Sequence, residues 1–351
     1  MDVKTINKKG GCRQNMVQRL SIMDMAPVDH ETSAKQALIN SVKLASKADE
    51  LGYERFWVTE HHNLSSVASA SPELLIGQIA ANTQRIRVGS GGVMLPNHSP
   101  LKVAENFKLL QTFYPDRIDL GVGRAPGTDS KTALALRRSM NSLNADDLQE
   151  LLRELRGYDH PSDSLPNDSI AQIIAMPQDT PLPPIWILGS SPYSAQLAAI
   201  EAANYSFAYH FNPAGAKEAI SLYRKLYQAN HGVSAPDVIL GVSVIGGDTD
   251  KEVDYQQKIL SLKFLQSLGY FNGFDPLKAH ELRFSEAHHQ AAQSFLSTIV
   301  IGTWSELKPK LDFLADTLGV QELIVSTAQE GFDTRLKLYE KLAELYKLQR
   351  N

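Results

Sequence analysis

Short apolar runs alternate along this chain with longer stretches whose apolar residues recur at helical spacing. Arg19-Leu20-Ser21-Ile22-Met23 reads as a first strand, and the spacing of Ala34, Ala37, Leu38, Ala45 and Ala48 predicts a helix over 33–51, closed by Gly52. The same rhythm predicts strands at 56–58, 86–88 and 117–120, with helices over 72–83 and 100–113 between them. Successive strands lie roughly thirty residues apart, the size of a βαβ unit. Serine followed by proline opens three of the helices, at Ser71-Pro72, Ser99-Pro100 and Ser191-Pro192. Serine can cap the first turn while proline takes a position whose N–H is not needed.

After residue 124 the spacing breaks. Residues 129–156 read as helical, and 157–184 hold prolines at 161, 166, 177, 181, 183 and 184 with little periodicity, which predicts a surface excursion. The rhythm then resumes with strands at 185–188, 205–209 and 238–245, helices over 192–203 and 213–230, and an eighth strand at 323–325 before a last helix ending near Gln349. Eight strands in strict alternation with helices predict an α/β fold, a (β/α)8 TIM barrel with an insertion after strand 7, rather than an open doubly wound sheet. The insertion covers 246–300 and begins with a helix over 252–268. Its irregular part, 269–289, contains Tyr270, Phe271, Phe274, Phe284, His280, His288 and His289. That stretch reads either as a lid over a rim site or as a packing or disordered insert.

Composition narrows the class. With 43% hydrophobic and 21% charged residues over 351 positions, the chain can bury one large core, so 1–351 is expected to form a single domain. A net charge of −4 argues against a general nucleic-acid binder, and the basic residues Lys4, Lys8, Lys9, Arg13 and Arg19 suggest a flexible arm over 1–17. The one cysteine, Cys12, lies in that arm, so neither an internal disulfide nor a cysteine-rich zinc site is expected. No apolar run reaches the ~18 residues of a spanning helix. A cytoplasmic protein with no membrane contact is expected.

Polar and glycine-rich segments follow the predicted strands, where a barrel does its chemistry. Glu60-His61-His62-Asn63 places two histidines side by side on a strand end, pointing to opposite faces, so a shared metal is not expected. One imidazole facing the rim can act as base or donor, although such a histidine is more often structural. Gly89-Ser90-Gly91-Gly92 offers bare main chain to a flat ligand, or marks a tight turn. Gly121-Val122-Gly123-Arg124-Ala125-Pro126-Gly127 has the wrong spacing for a dinucleotide fingerprint, but Arg124 can pair with a phosphate or with a neighbouring carboxylate. Gly189-Ser190-Ser191-Pro192-Tyr193-Ser194 sets hydroxyls and free amides at a helix start, which suits an anion, while Ser191 alone would suffice for capping. P-loop, GxSxG and cysteine-nucleophile signatures are missing.

Four segments together, 52–62, 85–96, 115–127 and 185–191, resemble in order and register the bacterial luciferase-like flavin monooxygenases, the LLM class of flavin-dependent oxidoreductases. The resemblance covers most of the chain. It implies a barrel that binds FMN at its C-terminal rim, with His61 beside the flavin as the catalytic residue. It further implies a non-prolyl cis peptide at Gly91-Gly92 against the ring, and a phosphate held by Arg124, Ser190, Ser191 and Ser194 next to Gly189. Luciferase itself carries glutamate where this chain has Ser190, which makes the site here friendlier to a dianion. The activity implied is oxygenation of a small organic substrate by reduced FMN and O2, with reduced flavin supplied by a separate flavin reductase, since no nicotinamide fingerprint is visible. A homodimer is expected, because helix 72–83 presents Leu74, Leu75, Ile76 and Ile79 on more than one face. A deazaflavin (F420)-dependent dehydrogenase on the same fold, or a flavin-binding protein without turnover, are the alternative readings.

Overall fold

A computed structural model describes residues 17–30, 32–125, 127–139, 147–159 and 173–349. Nearly all of the predicted arm, with Cys12, and most of the proline-rich excursion lie outside the described residues. Strands β1 (Arg19–Asp24), β2 (Arg55–Val58), β3 (Arg87–Ser90), β4 (Val93–Met94), β5 (Ile118–Gly123), β6 (Ile185–Gly189), β7 (Asn204–Ala208), β8 (Ile239–Gly247), β9 (Ile299–Thr303) and β10 (Glu322–Ser326) are joined by helices. These are α1 (Ala34–Leu51), α2 (Pro72–Ala81), α3 (Pro100–Phe113), α4 (Ser130–Arg137), α5 (Leu148–Gly157), α6 (Pro192–Ile200), α7 (Ala216–His231), α8 (Asp250–Ser267), α9 (Glu286–Leu296), α10 (Trp304–Leu318) and α11 (Phe332–Tyr346).

Eight strands pair in parallel in the order β1, β2, β3, β5, β6, β7, β8, β10, and β10 returns to β1, which closes the barrel. Register follows the apolar runs: Ile22 pairs with Phe56, Phe56 with Val88 and Val88 with Ile118, all fully buried. Parallel strands covered by helices are apolar on both faces, which is why these runs stand out in the sequence. Inside the barrel Trp57 and Trp186 meet edge to face at 5.5 Å. Below them Arg55 bridges Asp119 at 2.7 Å and Glu322 at 2.9 Å, a charged plug that satisfies carboxylates with no access to water.

Helix ends follow the sequence in part. Ser33 caps α1 by accepting from the Gln36 amide at 3.1 Å, and Gly52 ends it at φ 89°. Ser71, Ser99 and Ser191 occupy N-cap positions, but none of their side chains makes a capping bond. Their backbone carbonyls start the regular helical ladder, as Val103 N–H to the Ser99 carbonyl at 3.1 Å shows. Among the described residues of the predicted helix over 129–156, α4 ends at Arg138, whose φ of 58° is left-handed, and α5 starts at Leu148. Two strands were not anticipated. β4 is two residues long and pairs with β5, and β9 pairs with the outer half of β8, beyond the barrel. β4 is too short to read, whereas β9 carries the run Ile299-Val300-Ile301, as long as the runs read as strands at 56–58 and 323–325.

The insertion is thus α8, a 3-10 turn over Pro276–Glu281, α9 and β9. Residues 269–289 pack on α8 through Phe271, Phe274, Leu277, Leu282 and Phe284, around buried Ile259, Leu262 and Ala279. His30 reaches Asp275 at 3.3 Å, tying the loop after β1 to this segment.

Candidate functional site

The C-terminal ends of β3, β5, β6, β7 and β8 enclose a cavity of about 300 Å³. Gly91, Gly92, Arg124, Gly189, Ser190, Ser191 and Ser194 all line it, so seven residues drawn from three separate sequence segments meet at one cavity. Met23, Met94, Leu188, Tyr193, Ser206 and His210 are among the other lining residues. The volume lies at the lower end of the range for small-molecule sites.

One end of the cavity is built on the start of α6. Arg124, exposed at the end of β5, lays its guanidinium over the Tyr193 ring at 4.6 Å. Ser190 and Ser191 are half-buried, and the Ser190 carbonyl accepts from Asn212 Nδ2 at 2.9 Å. Ser194 behaves differently from what its spacing suggested. Its hydroxyl donates to the Ser191 carbonyl at 2.8 Å, so its contact with Tyr205 at 3.1 Å has the phenol as donor. What Ser194 presents to an anion is its backbone amide in the first turn of α6. Burial pushes the Tyr205 phenol up to about 12, which keeps it protonated for that role. Gly189 is required by the same contact, because a Cβ there would lie 2.3 Å from Ser194 Oγ.

The Gly91-Gly92 peptide at the end of β3 is cis, and both residues line the cavity. A methyl on Gly92 would stand 2.8 Å from the Gly121 carbonyl, and one on Gly91 would stand 3.1 Å from Met23. These glycines therefore let β3 pass close to its neighbours as well as leaving the cavity wall bare. Ser90, fully buried, fixes the strand end by donating to the Gly121 carbonyl at 2.8 Å and accepting from the Gly121 amide at 3.0 Å.

His61 stands at the end of β2 and is not one of the residues lining this cavity. Its Nδ1 lies 3.0 Å from Thr59 Oγ1, and burial lowers its pKa, with Glu60 opposing. Its neighbour Glu60 organises the rim. The fully buried carboxylate accepts from the Met94 amide at 2.8 Å and contacts His62 Nε2 and His98 Nε2, each at 2.9 Å. These bonds, His98 first, outweigh burial and hold Glu60 below the usual carboxylate range, while Glu60 holds His98 above the usual imidazole range. Met94 lines the cavity, so Glu60 sets the position of one wall.

Sequence reasoning missed Glu60 as an organiser, and missed His210. The latter sits in the 3-10 turn Tyr209–Phe211 that follows β7, and with Ser206 and Ala208 it lines the cavity.

With the fold and site described, the family is decided by sequence. The profile of the luciferase-like monooxygenases matches residues 18–335. The chain belongs to that family. A luciferase-like monooxygenase of Escherichia coli (strain K12) is 34% identical over 91% of this chain and 94% of its own. An N-acetyl-S-alkylcysteine monooxygenase of Bacillus subtilis (strain 168) is 32% identical over 93% and 97%. The crystal structure of apo-MsnO8 superposes with a TM-score of 0.80 at 34% identity, covering 95% of this chain and 98% of that one. Membership in the luciferase-like family makes a monooxygenase-type oxidoreductase the class of this protein. No helix among the described residues is long and apolar enough to cross a membrane.

Proposed function

We propose that this protein is an FMN-dependent monooxygenase that receives reduced FMN from a separate flavin reductase and uses O2 to oxygenate a small organic substrate. The observation that carries the reading is the convergence on one cavity of an anion-binding helix start, an arginine and a bare main-chain wall. These parts suit the phosphate and the flat ring of FMN respectively. Arg124 pairs with the phosphate, Ser190 and Ser191 offer hydroxyls, and the first-turn amides of α6 supply the remaining donors. When bound, the flavin activates O2 for insertion of one oxygen atom.

His61, kept neutral by burial and fixed at Nδ1 against Thr59, is assigned proton handling beside the ring. Residues 269–289 are assigned the task of excluding water. They reach the cavity mouth only by movement, because none of them lines it in this structure. The groove of about 590 Å³ between α1 and α2, with Leu38, Ile39 and Leu74 in its lining, is assigned to a second copy of the chain, and Leu74 is 74% exposed.

The test is a pair of titrations. Arg124→Ala is expected to weaken FMN by about thirtyfold, the value of a charge-assisted pair, and to leave riboflavin, which has no phosphate, unchanged. Equal losses for both ligands overturn the assignment of the phosphate end. Oxygen uptake coupled to an added flavin reductase, with a thioether or ketone as trial substrate, tests turnover.

A further inference from the structure

Three loops of the rim are tied to one another at Glu60. Its carboxylate accepts from the Met94 amide at 2.8 Å, and Met94 pairs with Gly123, the residue before Arg124. The loop after β2 then grips the segment that follows Arg124. The His62 amide donates to the Gly127 carbonyl at 3.2 Å, Thr128 Oγ1 to the His62 carbonyl at 2.8 Å, and Asn63 Nδ2 to Asp129 Oδ2 at 2.9 Å. Gly127 passes so close that a methyl on it would stand 2.7 Å from the Glu60 carbonyl. At the far end of α4, Arg137 Nε donates to Asn97 Oδ1 at 3.0 Å, which returns that helix to the loop after β4. Met94 and Arg124 both line the cavity, so two parts of its lining are held to the end of β2 by one set of bonds.

That set has a charged centre. His98 Nε2 lies 2.9 Å from Glu60 Oε1. Glu60 is fully buried and the His98 side chain is 30% exposed, so protons reach the imidazole from solvent while the carboxylate depends on its partners. His62 Nε2 stands at the same oxygen, also at 2.9 Å. The other titratable or charged groups around the pair are His61 beside Glu60, Glu73 on α2 and Arg137 on Asn97. Burial opposes the charge on His98, but the bond to Glu60 and the nearby carboxylates of Glu60 and Glu73 hold it above the usual imidazole range.

We propose that His98 is a positioning residue of the cofactor site: its ion pair with Glu60 holds the loops after β2, β4 and β5 in one arrangement, and flavin binding weakens when that pair loses its charge. The inference rests on the FMN reading above and adds to it a control point outside the cavity, which His98 does not line. The sign follows from the direction of the shift. Below 6.5 the imidazole is charged and the pair complete; as pH rises through the raised value the charge is lost, and Met94 and Arg124 lose part of their hold.

The experiment is titration of FMN and riboflavin into wild type and His98→Gln from about pH 6.5 to 9. Wild type is expected to lose about tenfold in affinity for FMN over that range, the difference between a charge-assisted bond and a neutral one. Riboflavin, which lacks the phosphate and answers only to the Met94 side, is expected to lose about threefold. His98→Gln, which keeps a neutral donor, is expected to bind FMN about tenfold more weakly than wild type at the low end of the range and to show no further fall toward the high end. Wild-type affinities that stay flat with pH overturn the proposal and leave the FMN reading standing, and this arm needs no variant to fold. A fall confined to FMN places the titration at the phosphate and overturns it too, as does a fall that persists in His98→Gln. Wild type binding neither flavin removes the FMN reading itself.

Discussion

Replacing Glu60 with glutamine removes one charge from the rim without changing its shape. Glu60 is fully buried and accepts from the Met94 amide and from His98 Nε2, with His62 Nε2 at the same oxygen as His98. An amide keeps one acceptor and sets a donor against the groups that pointed at the other oxygen. Losing a charge-assisted bond and leaving one buried donor unpaired costs about 3 kcal/mol. For a chain of 351 residues the unfolding entropy is about 0.7 kcal/mol per degree, so the loss corresponds to about 4 °C in Tm. The pH profile carries the sharper test. Glu60 is held below its ordinary 4.5, so its contribution is present above that value and is lost as pH falls through the lowered one. His98 is held above its ordinary 6.5, so its contribution is complete below 6.5 and is lost as pH rises through the raised value. The Tm gap between wild type and Glu60→Gln, followed by differential scanning calorimetry from pH 5 to 9, should be widest between about 4.5 and 6.5 and narrow toward pH 9. A gap that is flat with pH, or a variant as stable as wild type throughout, refutes the role assigned to the cluster.

Gly189→Ala should lower stability by about 1–3 kcal/mol and weaken FMN about tenfold, because the new methyl collides with Ser194; adding Ser194→Gly should restore most of both, read by thermal melts and flavin titration. His61→Ala should slow oxygenation about a hundredfold while FMN affinity stays within about twofold, since His61 does not line the cavity; stopped-flow turnover and titration separate the two. Arg335→Met breaks a buried pair, Nη2 to Asp29 Oδ2 at 2.9 Å, and should cost about 3–5 kcal/mol in urea unfolding, with Arg335→Met/Asp29→Leu recovering part of it.

The barrel was legible because its strands are buried on both faces and write themselves as apolar runs of strand length, from Leu20 and Ile22 to Leu323 and Val325. The glycines, the arginine and the serines of the site were legible because they cluster at the ends of those runs. Side-chain commitments were not. Nothing local indicates that the Ser194 hydroxyl is spent on the Ser191 carbonyl, or that the Ser-Pro helix starts dispense with a side-chain cap. Glu60 finds Met94 and His98 more than thirty positions away, brought to it by the pairing of β2 with β3. His210 was passed over because its single directional bond goes to the backbone of another strand, a contact without a sequence signature.

The outer half of β8 has a partner of its own. From Ser243 to Gly247 it runs beside Ile299–Thr303, so the polypeptide that leaves the barrel after β8 comes back as a further rung on the same ladder. The excursion is consequently a loop with both feet planted in one sheet. Its base is thereby fixed to the barrel, and a deletion of residues 269–296 replaced by a short turn is expected to leave the stave-to-stave hydrogen bonding of the vessel intact.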